Sequence, residues 1–430
     1  MATGSPTYPW PTTTSRPSDS SGISPISFAM RFGARLRARR AAPSSLHESG
    51  PSSNLGEVVL GFQTGRETMS VKMMIAVVGT TAALFAGACT GGGSEPEGPS
   101  RPERAPAAVA EPPRALPPIT CTHTATDPEQ ARAQLAQAAP GQTLCFAGDR
   151  LHGADLEATA SGTPQQPIVL VGRDATVGAV SVDADHVIVD GFTTVDGDGV
   201  TLDGTGLTVR GSEVLRAHDD GISCQCTNTD ITDNVVREAD GTGIRIEGER
   251  ISVLNNDVSR SVMRESNDAD GIRFFGTGHR ISANKVHDIS DDGYPDPPHT
   301  DCFQTYDNSS PPTRDVEISG NACYNVDHQC LIATAEEAGQ DGAVGRSRSL
   351  RFVGNTCAVE GSQAVLVRWF PEITVRDNEI SGPDLVNGVY IADGSTSATV
   401  VDNRFRGDYP MVEVDESSRP GLRVEGNERF

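Results

Sequence analysis

The sequence predicts a parallel β-solenoid over residues 119–430, and three observations carry that prediction. A polar residue, usually Asn, recurs two places before a usually apolar one: Asp190-Gly-Phe192, Ser212-Glu-Val214, Asn234-Val-Val236, Asn256-Asp-Val258, Asn284-Lys-Val286, Asn321-Ala-Cys323, Asn355-Thr-Cys357, Asn378-Glu-Ile380, Asn403-Arg-Phe405 and Asn427-Glu-Arg429. The intervals are 22, 22, 22, 28, 37, 34, 23, 25 and 24 residues, so one coil takes about 22–24 and the longer intervals hold insertions. A second register agrees: Gly221-Ile-Ser-Cys, Gly243-Ile-Arg-Ile, Gly271-Ile-Arg-Phe, Cys302-Phe-Gln-Thr, Cys330-Leu-Ile-Ala, Ala364-Val-Leu-Val and Gly388-Val-Tyr-Ile hold one place in successive coils. Short alternating strands at this period, stacked about 4.8 Å apart, make a solenoid.

Composition excludes several alternatives. Hydrophobic residues are 36% and aromatics 5% of 430 residues, against 45 Gly and 28 Pro. That profile opposes helix bundles and doubly wound α/β sheets and favours turn-rich β structure. The net charge of −23, from 58 acidic and 35 basic residues, opposes nucleic-acid binding, which needs a basic footprint. Leucine-rich repeats need a Leu-x-x-Leu-x-Leu frame that is missing here, and propeller blades need about forty residues.

From the N-terminus, residues 1–68 are rich in Ser, Thr, Pro and Arg with no apolar period, and read as disordered. Residues 69–89 place Lys72, an apolar stretch and small residues before Cys89, the pattern of a bacterial lipoprotein signal with Cys89 as the acylated residue. Met69 or Met73 suits a start, which sets 1–68 upstream of the translated protein. Residues 90–118 are Gly/Pro-rich and read as a flexible tether. A membrane is then met only through the lipid, and the domain lies outside the cytoplasm.

The domain opens at Asp127-Pro-Glu-Gln-Ala-Arg-Ala-Gln-Leu135, which predicts a short helix within 127–139. The coils follow. Ile222, Ile244, Ile272, Phe303, Leu331, Val365 and Val389 point inward by strand alternation, and their successors outward. The Asn positions stack, each amide able to bond the next coil.

The opening segment, through Ala139-Pro-Gly-Gln-Thr143 to Ser161-Gly-Thr-Pro-Gln-Gln-Pro-Ile168, together with the Asn-x-apolar coils, resembles the pectate-lyase-like superfamily of right-handed parallel β-helices, particularly secreted actinobacterial members. The resemblance covers about 120–430. It implies a single-stranded right-handed parallel β-helix with a short N-terminal cap helix. It also implies a polysaccharide or oligosaccharide ligand and a lyase, hydrolase, epimerase or adhesin role. The calcium-and-arginine signature of pectate lyases and the Asp-Asp and Gly-His-Gly motifs of polygalacturonases are not found.

Nine cysteines, less Cys89, leave eight. Cys121 and Cys145 bracket the cap helix; Cys302 with Cys330, and Cys323 with Cys357, share registers in adjacent coils. Cys224 and Cys226 remain for a C-x-C bridge. Disulfides suit export, with reduced stacked cysteines as the alternative.

Candidate chemistry centres on the largest insertion, between Asn284 and Asn321. By register Asp220, Asp270 and Asp301 form one outward row, Arg245, Arg273 and Gln304 the next, and Tyr306 and Arg368 stand in a third. His299 and His328 land beside them. Three mechanisms fit. In a lyase, Arg245 and Arg273 neutralise a uronate while His299 or His328 takes the proton. In a hydrolase, Asp270 with Asp301, or Asp220 with Asp270, share acid and base roles. In the third, Asp220, Asp270 and Asp301 bind calcium; no cofactor is otherwise required. A binding-only or structural envelope solenoid is the competing reading. The strip centres on His299, Asp301, Gln304 and Tyr306.

Overall fold

In a computed structural model, the structure describes residues 119–266, 268–306, 311–335 and 347–430. The predicted disordered stretch 1–68, signal 69–89, tether 90–118 and acylation site Cys89 lie outside the described residues. The described residues form an all-β, right-handed parallel solenoid of about 12 turns.

The cap helix forms at Pro128–Leu135. Pro128 sits where a helix tolerates a missing N–H, and the Asp127 carboxylate accepts the N–H groups of Glu129 and Gln130 at 3.1 and 3.0 Å. Ala131 and Leu135 are buried on the side facing the first coil, closing the apolar interior at that end.

Every ladder between coils is parallel. Ile222 pairs with Ile244, Ile244 with Ile272, Ile272 with Phe303, Phe303 with Leu331, Leu331 with Val365 and Val365 with Val389. All seven are fully buried, forming the interior column that alternation assigns to them.

The Asn positions form a continuous amide ladder. Asn321 shows the unit: its Nδ2 donates to Asn355 Oδ1 at 2.9 Å and to the Ile281 carbonyl at 3.0 Å. Its Oδ1 accepts from Asn284 Nδ2 at 3.0 Å and from the Asn284 backbone N–H at 2.8 Å. The same pattern runs from Asn234 to Asn427. A coil corner leaves backbone groups unpaired inside, and the amide pairs them with the neighbouring coil.

The disulfides correct part of the cysteine reading. Cys121–Cys145 and Cys224–Cys226 are bonded. The stacked pairs Cys302/Cys330 and Cys323/Cys357 are not; the bonds are Cys302–Cys323 and Cys330–Cys357, with Cα atoms 6.1 and 5.8 Å apart. Residues in one register point the same way, so their sulfurs lie side by side. The cysteine across the interior faces them instead, at the separation a disulfide prefers. Four disulfides suit an oxidising, extracellular compartment. Among the described residues, no helix is long and apolar enough to cross a membrane.

Candidate functional site

A cleft of about 450 Å³ opens on the outer face of the coils, lined by Asp219, Asp220, Gly241, Arg245, Ser266, Asp268, Arg273 and Tyr306. Two adjacent strands, Thr242–Leu254 and Asp270–Thr277, form its floor and set Arg245 opposite Arg273. The insertion after Asn256 supplies Ser266 and Asp268 as one wall. Tyr306 closes the far end.

Asp240 holds that wall. Its Oδ1 accepts the Arg264 N–H at 2.7 Å and the Ser266 hydroxyl at 2.9 Å, and its Oδ2 accepts the Glu265 N–H at 2.8 Å. Burial by itself would raise the Asp240 pKa, but these donors bring it below the ordinary value. Gly241 follows with φ +111°, a backbone state that L side chains rarely adopt.

The cations of the cleft are already partnered. Arg273 pairs with Asp268 at 2.8 Å and with Asp270, and its guanidinium lies 5.6 Å from the Tyr306 ring centroid. Arg245 donates to Glu247 at 3.0 Å, approaches Asp220 at 4.0 Å and covers the buried Phe275 ring at 5.6 Å. Phe275 and Tyr306 meet edge to face at 5.0 Å. Arg273 Nε and Asp268 Oδ1 are buried with no hydrogen-bond partner among the described residues.

The carboxyls differ by environment. Burial, and then the neighbouring Asp219, push Asp220 above the ordinary carboxyl range; Arg245, Arg273 and the Thr242 N–H act against that rise. Asp270 and Asp301 continue the same register but do not face solvent: both are fully buried, against the outward row expected of them. Asp270 accepts the Asp301 N–H at 3.0 Å and the Arg273 guanidinium. Asp301 accepts the Gln329 N–H at 3.0 Å and Gln304 Nε2 at 3.2 Å. The row thus ties coil to coil beneath the cleft, as the Asn ladder does at the corner. Burial lifts Asp301 to about 7 and raises Asp270 strongly.

The other expected residues stand apart from the cleft lining. His299 is exposed and stacks edge-on against His328 at 5.6 Å. His328 accepts the Thr300 N–H at 3.3 Å and meets Asp291 at 3.3 Å. Gln304 is buried under the cleft. Arg368 lies two coils beyond Tyr306, bonded to Asp393 at 2.6 Å and stacked on Trp369 at 4.2 Å. Of the residues read from sequence, the structure gathers Asp220, Arg245, Arg273 and Tyr306 around the cleft, with Asp270, Asp301 and Gln304 beneath it.

Asp219, Ser266 and Asp268 escaped the sequence reading. Ser266 and Asp268 lie in an insertion with no repeat register, and the 28-residue interval between Asn256 and Asn284 was their only trace.

A cation does not fit the carboxylate row. Asp270 is committed to Arg273 and the Asp301 N–H, and among the described residues no three His, Cys, Asp or Glu side chains are grouped to hold a metal ion.

No protein-family model matches the chain, and no curated protein matches it significantly. Solved structures similar to it include pectate lyase Pel9A, at 15% identity and TM-score 0.44, covering 71% of this chain and 80% of that one. A double mutant of the tailspike protein of E. coli bacteriophage HK620, in complex with a pentasaccharide, is similar at 9% identity and TM-score 0.42, covering 70% and 63%. The A-module of the mannuronan C-5 epimerase AlgE6 of Azotobacter vinelandii is similar at 12% identity and TM-score 0.39, covering 71% and 96%. These likenesses assign no activity to this chain.

Proposed function

We propose that this protein is an exported glycoside hydrolase that cleaves a polysaccharide in the Asp220–Asp268 cleft. One observation carries the reading: the cleft holds two carboxyls in unlike surroundings. Asp220 is pushed up by burial and Asp219, whereas Asp268 is ion-paired with Arg273 at 2.8 Å. Unlike carboxyls across a cleft divide acid and base work. Asp220 donates its proton to the departing glycosidic oxygen. Asp268 takes the proton of the water whose hydroxyl joins the anomeric carbon. Arg273 fixes Asp268, and Tyr306 offers a ring edge and face to a sugar.

The volume of about 450 Å³ lies within the usual ~300–1,000 Å³ of small-ligand sites. A lyase would need a free cation for a uronate and a base beside it. Arg245 and Arg273 are instead committed to Glu247, Asp268 and Asp270, and the two histidines stand off the cleft lining. The four disulfides support export; acylation at Cys89 completes the proposal, and palmitate incorporation lost in Cys89→Ser tests it.

The test of the reaction is turnover on a polysaccharide panel, reading reducing ends and ultraviolet absorbance of unsaturated products separately. Reducing ends without unsaturation, lost in Asp220→Asn and Asp268→Asn variants that melt like the parent, are expected. Unsaturated products would establish the lyase. Glycan retention with no turnover would establish a binding protein.

A further inference from the structure

The outward positions on the strands change character along the solenoid. Ser223, Arg245, Arg273 and Gln304 are polar, and then Ile332, Leu366 and Tyr390 follow in the same register on three consecutive coils. Their strand neighbours, Leu331 and Ala333, Val365 and Val367, Val389 and Ile391, are all buried in the core. Alternation therefore turns Ile332, Leu366 and Tyr390 to the outside, where each stays partly exposed and takes no part in the interior cluster. An outer sheet face in water is ordinarily polar. A three-coil apolar strip in line with a cleft marks a place where something apolar sits.

We propose that this strip binds the acetyl substituents of the glycan whose neighbouring sugars occupy the cleft; the inference rests on the glycan reading of that cleft. The continuity is in the backbone. Arg273 pairs with Gln304, Gln304 with Ile332, and Ile332 with Leu366, so a chain leaving the cleft across the strands meets the strip about two coils, or ~10 Å, later. An extended glycan spans that distance in a few sugars. An unsubstituted sugar presents mostly hydroxyls there and gains little from three apolar side chains. An acetyl group presents a methyl to Ile332 and Leu366 while its carbonyl turns toward Arg368, two residues beyond Leu366 on the same strand. A protein partner fits poorly, because three side chains fall far below the ~800 Å² per partner of a stable interface.

The experiment compares matched glycan pairs on the full-length protein by affinity electrophoresis. The pairs are acetylated and alkali-deacetylated xylan, acetylated and alkali-deacetylated gellan, and chitin and chitosan hexasaccharides. The xylan and gellan arms report O-acetyl groups and the hexasaccharides N-acetyl groups. The acetylated member of at least one pair is expected to bind about fourfold more tightly for each methyl buried. Leu366→Ser and Ile332→Thr should erase that difference while leaving the deacetylated member's binding unchanged. Both sites face outward, and thermal melts check that the fold survives. Equal binding of both members in every pair overturns the inference while leaving the cleft reading intact. Preference unmoved in both variants, with parent-like melts, overturns it too. Lower melting temperatures with preference intact would show the strip covered by the chain itself, which also overturns it. Retention of none of the six glycans overturns the inference and the glycan reading together.

Discussion

Asp301 donates its backbone N–H to the Asp270 carboxylate at 3.0 Å, so two buried acids are linked across adjacent coils. The carboxylate of Asp301 repeats the gesture toward the Gln329 N–H at 3.0 Å. An amide would serve this ladder equally well, since asparagine fills the same role at the corner of nearly every coil. A buried acid costs more than an amide once it ionises. Asp270, beneath Arg273, accepts the guanidinium as well as the Asp301 N–H.

That distinction predicts a pH signature. Asp301 has its pKa raised by burial from 3.8 to about 7. A raised acid contributes stability that is fully present below the unfolded value near 3.8 and is lost as pH climbs through about 7, at ~1.4 kcal/mol per pH unit for one proton. Asp301→Asn should remove that loss. The replacement amide keeps an acceptor for the Gln329 N–H, and the Gln304 side chain can turn its Oε1, now without a partner among the described residues, toward the new donor. Chemical denaturation at a series of pH values measures the slope. A variant that still loses stability from pH 4 to 7 as the parent does would refute the account.

His279 predicts the opposite slope. It is buried, accepts the Ile251 N–H at Nδ1 and meets the Phe275 carbonyl through Nε2 at 2.8 Å. Burial lowers its pKa from 6.5 to about 4. The unfolded chain therefore binds a proton below 6.5 that the folded chain refuses until about 4, and stability falls as pH falls through that window. His279→Gln removes that contribution, so the stability difference between variant and parent should move in the variant's favour as pH falls from 6.5 to 4, read by chemical denaturation at matched pH values.

Much of this architecture was legible in the sequence, and the limits have physical causes. Interior positions such as Ile244 and Leu331 are fixed by strand alternation, and the Asn register by backbone groups that need a partner; both repeat, so both can be read. The two stacked cysteine pairs failed, while Cys121–Cys145 and Cys224–Cys226 held, because register says which residues stack, whereas Cys302 bonds to Cys323 across the interior. The cleft was half legible. Arg245, Arg273 and Tyr306 follow the strand register, while Asp268 sits on an insertion whose path depends on Asp240, 28 residues before it in sequence.

The amide ladder predicts a position-dependent cost. Asn321→Ala strips partners from Asn284, Asn355 and the Ile281 carbonyl, all buried. Leaving such groups unpaired costs about 1–3 kcal/mol each, so the coil should lose at least ~2 kcal/mol. Asn427→Ala acts on the last rung, where the side chain is partly exposed and water replaces what is lost; its cost should stay below about 1 kcal/mol. Urea titrations of the two variants give the comparison, and equal losses would mean that burial does not set the cost.

The cleft itself is tested most directly through Asp240, which lines no part of it. This carboxylate gathers the N–H groups of Arg264 and Glu265 and the Ser266 hydroxyl, and so fixes the loop that carries Ser266 and Asp268. Met263 adds one further tie, donating its N–H to the Tyr294 hydroxyl at 3.2 Å. In Asp240→Ala the loop loses its anchor, Asp268 leaves Arg273, and the acid–base pair across the cleft separates. A misplacement of about 1 Å can cost ~100-fold in rate. Turnover should therefore fall at least tenfold, mainly in kcat, while the melting temperature moves little because the coils beneath are untouched. Asp240→Asn retains one acceptor oxygen and should recover part of the rate. Parent-like kcat in Asp240→Ala would show that the loop holds its shape without the carboxylate, and that Asp268 owes its position to Arg273 alone.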